Sequence, residues 1–284
     1  LDNTRGSLYM IMAMAAFTME DMFIRLATAT IPLGEILLLF GIGGTATFLV
    51  LTLRRGEVIF HKAILSKPIL IRMFCELIGR MCFISALVII PFSTASAILQ
   101  ATPLVVVGGA ALMFGEKVGW RRWSAILFGF IGVLMVIQPG MDSFDPLSLL
   151  AVVGMLGLAG RDLATRAASS ELSSMQLSTY GFFVLIPVGI ILLMYSGGAS
   201  VTDAKTSLYI LATIACGCIA YYSLTLAMRT GEVSIVTPFR YSRMVFSLAV
   251  AMVMFGERPD WVTLTGIMII ISGGIYTLLR SRQT

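Results

Sequence analysis

Apolar residues run through this chain in long blocks, and polar residues gather in short clusters between them. Ten blocks reach the length of roughly 20 residues that one helical membrane crossing needs. The expected spans are 6–27, 33–53, 67–90, 93–114, 120–138, 146–168, 173–196, 206–228, 232–255 and 260–280. Turn chemistry separates them at Ile31-Pro32-Leu33-Gly34, Ile90-Pro91, Gln138-Pro139-Gly140, Ser196-Gly197-Gly198 and Arg258-Pro259-Asp260. Apart from loops near 54–66 and 197–205 the connections are short, so no extramembrane domain is expected. The first apolar block ends in Glu20-Asp21 without a small-residue cleavage site, and it reads as a retained helix.

Composition agrees with the pattern. The chain is 58% hydrophobic and 12% charged, with a mean hydropathy of +0.94, whereas a soluble domain carries about a quarter charged residues. The net charge of +5 raises the question of nucleic acid, but the basic residues are scattered between apolar blocks and form no patch, which excludes it. Their distribution instead orients the chain. With the N-terminus in the cytoplasm, fourteen basic residues, Arg72, Arg161 and Arg166 among them, fall at inner ends and loops, against Arg25, Lys205 and Arg258 outside. This bias predicts cytoplasmic N- and C-termini. Cys75, Cys82, Cys216 and Cys218 all lie inside apolar blocks and read as free thiols with no disulfide or metal spacing.

A second regularity spans the whole chain. Residues 112–120 read LMFGEKVGW and residues 253–261 read VMFGERPDW, a shift of 141 in 284. The same shift brings Asp21 and Arg25 onto Asp162 and Arg166, Cys75 onto Cys216, Ser93 onto Ser234, Trp120 onto Trp261 and Gly132 onto Gly273, with no gap. Apolar bias alone does not match Asp, Arg, Glu, Trp and Cys in one register. Each half, 1–141 and 142–284, then holds five spans, and an odd number turns the second copy upside down. Inverted repeats suit transporters, whose halves rock about a site near the midplane. The predicted fold is therefore an all-α integral membrane protein of ten transmembrane helices, arranged as two inverted five-helix repeats around a central cavity.

Two stretches carry a family resemblance: SAILQATPLVVVGGAALMFGEKVGWRRWSAILFGFIGVLMV (96–136) and TPFRYSRMVFSLAVAMVMFGERPDWVTLTGIMIIISGGIY (237–276). In each, a fourth helix runs into Gly-Glu and a Trp-led, Gly-rich fifth helix follows. The chain resembles the drug/metabolite transporter superfamily, and more narrowly two EamA-type units in tandem. Among ten-span members it looks most like bacterial amino-acid exporters. The resemblance implies efflux across the bacterial inner membrane, with spans 3, 4, 8 and 9 lining the cavity. The family pattern places a proline midway along the fourth helix of each half. Pro103 fits, but its counterpart is Met244 and the nearest proline is Pro238, so the two halves are expected to bend at different depths.

Ionisable side chains at membrane depth are costly unless they face a cavity or a partner, so they are the site candidates. Glu76 and Arg80 sit one turn apart in span 3, and Arg240 and Arg243 share a face of span 9 with Tyr241 and Ser242 between them. Under the repeat, Arg80 corresponds to Tyr221 and Gln100 to Tyr241. These eight residues are the expected substrate-binding set. Glu20, Asp21, Asp162 and Arg166 are candidates for a gate or proton coupling, the competing reading being i, i+4 ion pairs that fix helix ends. Glu116 and Glu257 read as turn residues without access to substrate.

Other patterns carry no chemistry. Gly41-Ile42-Gly43-Gly44-Thr45-Ala46 imitates a dinucleotide fingerprint, yet it lies inside span 2 with no preceding strand and reads as helix packing. No Walker motif is present, and the single histidine, His61, has no triad or metal partners in sequence. No cofactor and no enzyme activity are expected. The sequence thus predicts a secondary transporter that exports amino acids or related metabolites by alternating access, with membrane lipid as its surroundings and proton coupling undecided. A multidrug or lipophilic-cation exporter and a passive channel are the alternatives.

Overall fold

The computed structural model describes residues 2–59, 62–114, 120–138, 145–168, 172–195, 198, 200, 203–230 and 236–281, without certain helix side chains, Arg166 among them. His61 and Glu116 lie outside the described residues. Among the described residues twelve α-helices follow one another: α1 Asn3–Ala27, α2 Leu33–Arg54, α3 Lys67–Ile89, α4 Phe92–Leu99, α5 Thr102–Phe114, α6 Trp120–Ile137, α7 Ser148–Ala167, α8 Ser174–Phe183, α9 Leu185–Tyr195, α10 Ala204–Thr230, α11 Ser242–Met254 and α12 Trp261–Ser281. Short 3-10 turns cover Lys62–Leu65 and Thr237–Tyr241, and no strand occurs among the described residues.

Local chemistry explains where helices start and break. Asp2 caps α1 by accepting from the Arg5 amide at 3.0 Å, and Ser173 with Gln176 forms a reciprocal capping box at α8. Span 7 is split at Val184 because Pro187 has no N–H to offer the carbonyl four residues back. Pro103 does the same between α4 and α5, and there the Leu99 carbonyl is recovered by the Thr102 hydroxyl at 2.5 Å. In the second half the chain enters α11 through the turn at Thr237–Tyr241, where the Ser242 hydroxyl bonds the Phe239 carbonyl at 2.7 Å.

Gln100 opens the first break, at 100–101, and its counterpart Tyr241 closes the second, at Thr237–Tyr241, so the two breaks meet at one register position without coinciding.

Packing is reciprocal. α1 lies along α10 and α3 lies along α7, while α2 packs on α8 and α9 and α6 packs on α12. The 141-residue shift carries α1 to α7 and α3 to α10, so the first two contacts exchange with each other. The α3–α7 crossing is backbone on backbone: a Cβ at Gly79 would stand 2.8 Å from the Leu158 nitrogen, and one at Gly157 would stand 2.6 Å from the Gly79 Cα. A Cβ at Gly41 would meet the Ile186 nitrogen at 2.9 Å, as its helix-packing reading requires.

Polarity is distributed inside out. Met194, Val253, Leu112 and Trp261 are 80% or more exposed, while Glu20, Glu76, Arg72 and Asp21 are at most 2% exposed. Such a surface is at home in hydrocarbon, and such an interior needs its own partners. Five helices among the described residues are long and apolar enough to cross a membrane: Thr4–Ala27, Leu33–Arg54, Ser148–Thr165, Ser174–Tyr195 and Ala204–Thr230. α3 falls outside that set because Lys67, Arg72, Glu76 and Arg80 interrupt its apolarity, and α4, α5 and α11 because the breaks leave them short. The protein is an integral membrane protein.

Candidate functional site: a buried arginine–carboxylate cluster

The polar interior forms one connected cluster. Arg80, from the middle of α3, pairs with Glu20 of α1 at 2.8 Å and with Glu76 one turn earlier at 3.3 Å. Glu76 also takes Arg161 of α7 at 3.1 Å and the Tyr221 hydroxyl of α10 at 2.9 Å. Arg72 donates to the Tyr221 hydroxyl, to Thr165 Oγ1 at 2.9 Å and to the Leu177 carbonyl at 3.2 Å. Arg161 continues to Asp162 at 2.9 Å, and Asp162 receives Arg240 at 2.6 Å. Arg243 closes the set on Asp21, and its guanidinium lies over the Phe17 ring at 5.3 Å. In low dielectric each of these ions depends on its partner, because an uncompensated charge there costs several kcal/mol.

A cavity of about 50 Å³ opens within this cluster, with Asp21, Arg80, Gln100, Arg161, Arg240 and Arg243 as its polar wall and Phe17, Phe83 and Leu224 among its apolar contacts. Arg161 and Leu224 are shared with a second cavity of about 390 Å³, whose wall runs past Arg72, Asp162 and Tyr221 to Arg229. The two therefore adjoin at Arg161 and Leu224, and the second extends to the end of the bundle where α7 and α10 finish. A third cavity, about 410 Å³, lies at the other end between Ser93, Gln138, Glu257 and Asp260, and shares no lining residue with the central one.

Glu257 links three helix ends there. Its carboxylate accepts from the Phe92 amide at 2.6 Å, the Ser93 amide at 2.9 Å and the Ser93 hydroxyl at 2.7 Å, and it pairs with Arg25 at 3.2 Å. The turn after α11 thus caps the N-terminus of α4 and holds the end of α1. Arg25 also stands 4.7 Å from the centre of the Phe255 ring, which packs on Phe92. Next to it, hydrogen bonds from Thr263 and Gln138 hold the Asp260 carboxyl below the usual carboxylate range.

Of the residues predicted from sequence, Gln100, Arg80, Arg240, Arg243 and Asp21 meet at the central cavity, and Tyr221 and Asp162 meet at the adjoining one. Glu20 and Glu76 stand behind them as carboxylate partners. Tyr241 is buried at the break, and Ser242 bonds the backbone; neither lines a cavity described here. The i, i+4 reading is corrected for Asp21 and Arg25; for Asp162 the Arg166 side chain lies outside the described residues. Asp21 bonds Arg243 rather than Arg25, which turns to Glu257, because Asp21 lies nearly two turns inside α1 and faces the bundle. Asp162 bonds Arg161 and Arg240. Glu257 is more than a turn residue, since it joins the two halves of the chain.

Two cluster members escaped the sequence reading. Arg72 and Arg161 are 2% and 6% exposed, not inner-loop charges. A signal existed for each: Arg72, Glu76 and Arg80 form one stripe at i, i+4, i+8, and Arg161 is the repeat counterpart of Glu20. α1 and α7 also contribute to the cavity walls, which widens the lining beyond spans 3, 4, 8 and 9. Among the described residues no group of His, Cys, Asp and Glu could hold a metal ion.

Known proteins place this architecture. A curated riboflavin transporter of Rhizobium johnstonii is 26% identical over 209 residues, covering 74% of this chain and 69% of the relative. An S-adenosylmethionine uptake transporter of Rickettsia prowazekii is 24% identical over 70% of this chain and 67% of its own length. The pseudopaline exporter CntI of Pseudomonas aeruginosa is 25% identical over 94% and 93%. A solved crystal structure superposes with a TM-score of 0.71 over 99% of this chain and 98% of that one at 18% identity, a likeness of fold. These relatives are named as transporters of small molecules and none as an enzyme. The model of the EamA-like transporter family matches residues 4–138 and again 146–279, and the chain belongs to that family.

Proposed function

We propose that this protein is a secondary transporter that exports amino acids or related small metabolites across the bacterial inner membrane by alternating access. Ten crossings in two inverted repeats, 1–141 and 142–284, would put both termini in the cytoplasm. The reciprocal pairing of α1 with α10 and α3 with α7 supports such a repeat.

One observation carries the mechanism: the cavity in the buried cluster adjoins a larger one that reaches Arg229, while Glu257 bridges the halves at the opposite end. In this reading the described conformation faces the cytoplasm. Substrate enters past Arg229, reaches Gln100, Arg240 and Arg243, and leaves when the Glu257 contacts part. Asp21 and Asp162 hold the guanidiniums of Arg243 and Arg240, so movement of α1 or α7 is coupled to the site. A lipophilic cation would meet arginines at every turn of the cavity, which disfavours the multidrug alternative.

Purified protein in liposomes tests the reading. Saturable uptake of labelled amino acids, accelerated by unlabelled amino acid on the opposite side, is expected. Flux that is linear in concentration and shows no such acceleration points to a channel, and no uptake across a panel of amino acids and related metabolites sinks the assignment.

A further inference from the structure

The central cavity has a polarity of its own. Among the described residues the cluster holds five arginines, Arg72, Arg80, Arg161, Arg240 and Arg243, against four carboxylates, Glu20, Asp21, Glu76 and Asp162. Glu35, a further buried acid, stands apart at the start of α2 and accepts the Ser200 amide at 2.8 Å. Each of the four cluster carboxylates already serves an arginine. One positive charge is left over.

The side-chain atoms without partners agree with that count. In the wall of the central cavity they are Gln100 Nε2, Arg240 Nε, Arg240 Nη2 and Arg243 Nε, all of them donors. Glu20 Oε2 is also without a hydrogen-bond partner, and Asp162 Oδ2 has only its ion contact with Arg240, but neither residue lines this cavity. These residues are more than nine-tenths buried, so water does not satisfy them freely, and a buried donor left unmet is destabilising. Arg240 gives this surplus a shape. Its Nη1 is spent on Asp162 at 2.6 Å, which leaves Nε and Nη2, the two N–H groups on one edge of the guanidinium plane. That edge is the fork a carboxylate occupies with two parallel hydrogen bonds.

We propose that the cavity recognises its substrate through a single carboxylate seated on the free edge of Arg240, with Gln100 and Arg243 supplying further donors, and that it makes no use of a positive group on the substrate. An α-ammonium would find no uncommitted carboxylate in the wall. This specificity rests on the transporter reading above and narrows it: acids that lack an amino group should be accepted, and amines or amides of the same skeleton should not.

Thermal unfolding of the purified protein in detergent reads this directly, with 4-methylpentanoate, 4-methylpentanamide and 3-methylbutylamine as probes. The acid should raise the midpoint in a saturable way, with the amide and the amine inactive up to a concentration tenfold higher. Arg240→Lys keeps a charge for Asp162 but lacks the fork, so the folded variant should bind the acid at least tenfold more weakly. Arg240→Gln should show no response. Equal stabilisation by the amide or amine, no response to any of the three, or an unchanged acid response in Arg240→Lys would overturn the proposal. Counterflow in liposomes separates it from the transport reading. An acid that binds but is never exchanged defeats transport alone, whereas saturable exchange of a neutral or cationic metabolite without acid binding defeats the carboxylate alone.

Discussion

Glu257→Gln is the sharpest single perturbation of the closed end. The carboxylate receives four donors at 2.6–3.2 Å, two of them backbone amides at the start of α4. The amide of Gln keeps one acceptor oxygen, so one α4 amide loses its partner and the Arg25 pair loses its charge. A hydrogen bond to a charged group contributes about 1.5–3 kcal/mol. The Glu257 side chain is 14% exposed and Gln re-forms part of the set, so about 2–3 kcal/mol is the expected loss from the closed conformation. With tenfold per 1.4 kcal/mol, the opening equilibrium shifts by roughly 30- to 100-fold. Thr94 lines the cavity at this end, and Thr94→Cys in a cysteine-free background reports opening through its labelling by a membrane-impermeant maleimide. The labelling rate should rise at least tenfold in Glu257→Gln. A rate within twofold of the parent, in protein that remains folded, would show that Glu257 does not hold this end shut.

Other consequences are open to measurement. Arg80→Met strands Glu20 among apolar neighbours and removes one of the partners of Glu76, so it should cost about 3–5 kcal/mol, seen as a lowered unfolding midpoint, while the double change Arg80→Met with Glu20→Leu should recover part of it. Gly79→Leu drives a side chain into the Leu158 backbone, so loss of folded protein on gel filtration is expected, whereas Gly56→Ala, with open space around it but a φ of +69°, should cost only about 1 kcal/mol. The carboxyl of Asp260 should titrate below an unstructured aspartate. The sign follows: the stabilisation is complete above the unfolded-state pKa and is lost as pH falls through the lower folded one, so the α6–α12 seam should loosen only in strong acid, as hydrogen exchange at Thr263 would report.

Much of the helical layout could be read along the chain, because apolar blocks of fixed length between Pro and Gly turns leave a bilayer-spanning chain few choices. The register of the breaks could not. The first follows Pro103, whose missing N–H leaves the Leu99 carbonyl to the Thr102 hydroxyl, but the second runs through a 3-10 turn at Thr237–Tyr241 that no proline at the equivalent position marks. Site candidates were legible wherever a charge stood alone in an apolar block, as with Arg80, Arg240 and Arg243. Their partners were not, since spacing favours a neighbour one turn away and cannot see one 222 residues distant, as in Asp21 with Arg243. Arg72 and Arg161 were misplaced for a related reason: near a helix end, a basic residue in sequence looks the same whether it turns to solvent or to Glu76. The duplicated Met-Phe-Gly-Glu string marked the repeat, and only its tertiary contacts at Glu257 reveal a latch.

The central proposal is alternating access, and reciprocal labelling tests it most directly. Thr225 lines the cavity that leads from the cluster, and Thr94 lines the one behind Glu257. Single cysteines at the two positions, in membranes probed from each side, should respond to transported substrate in opposite directions, one protected as the other becomes exposed. Two rates that rise together, or that do not change under conditions of active exchange, would contradict alternating access.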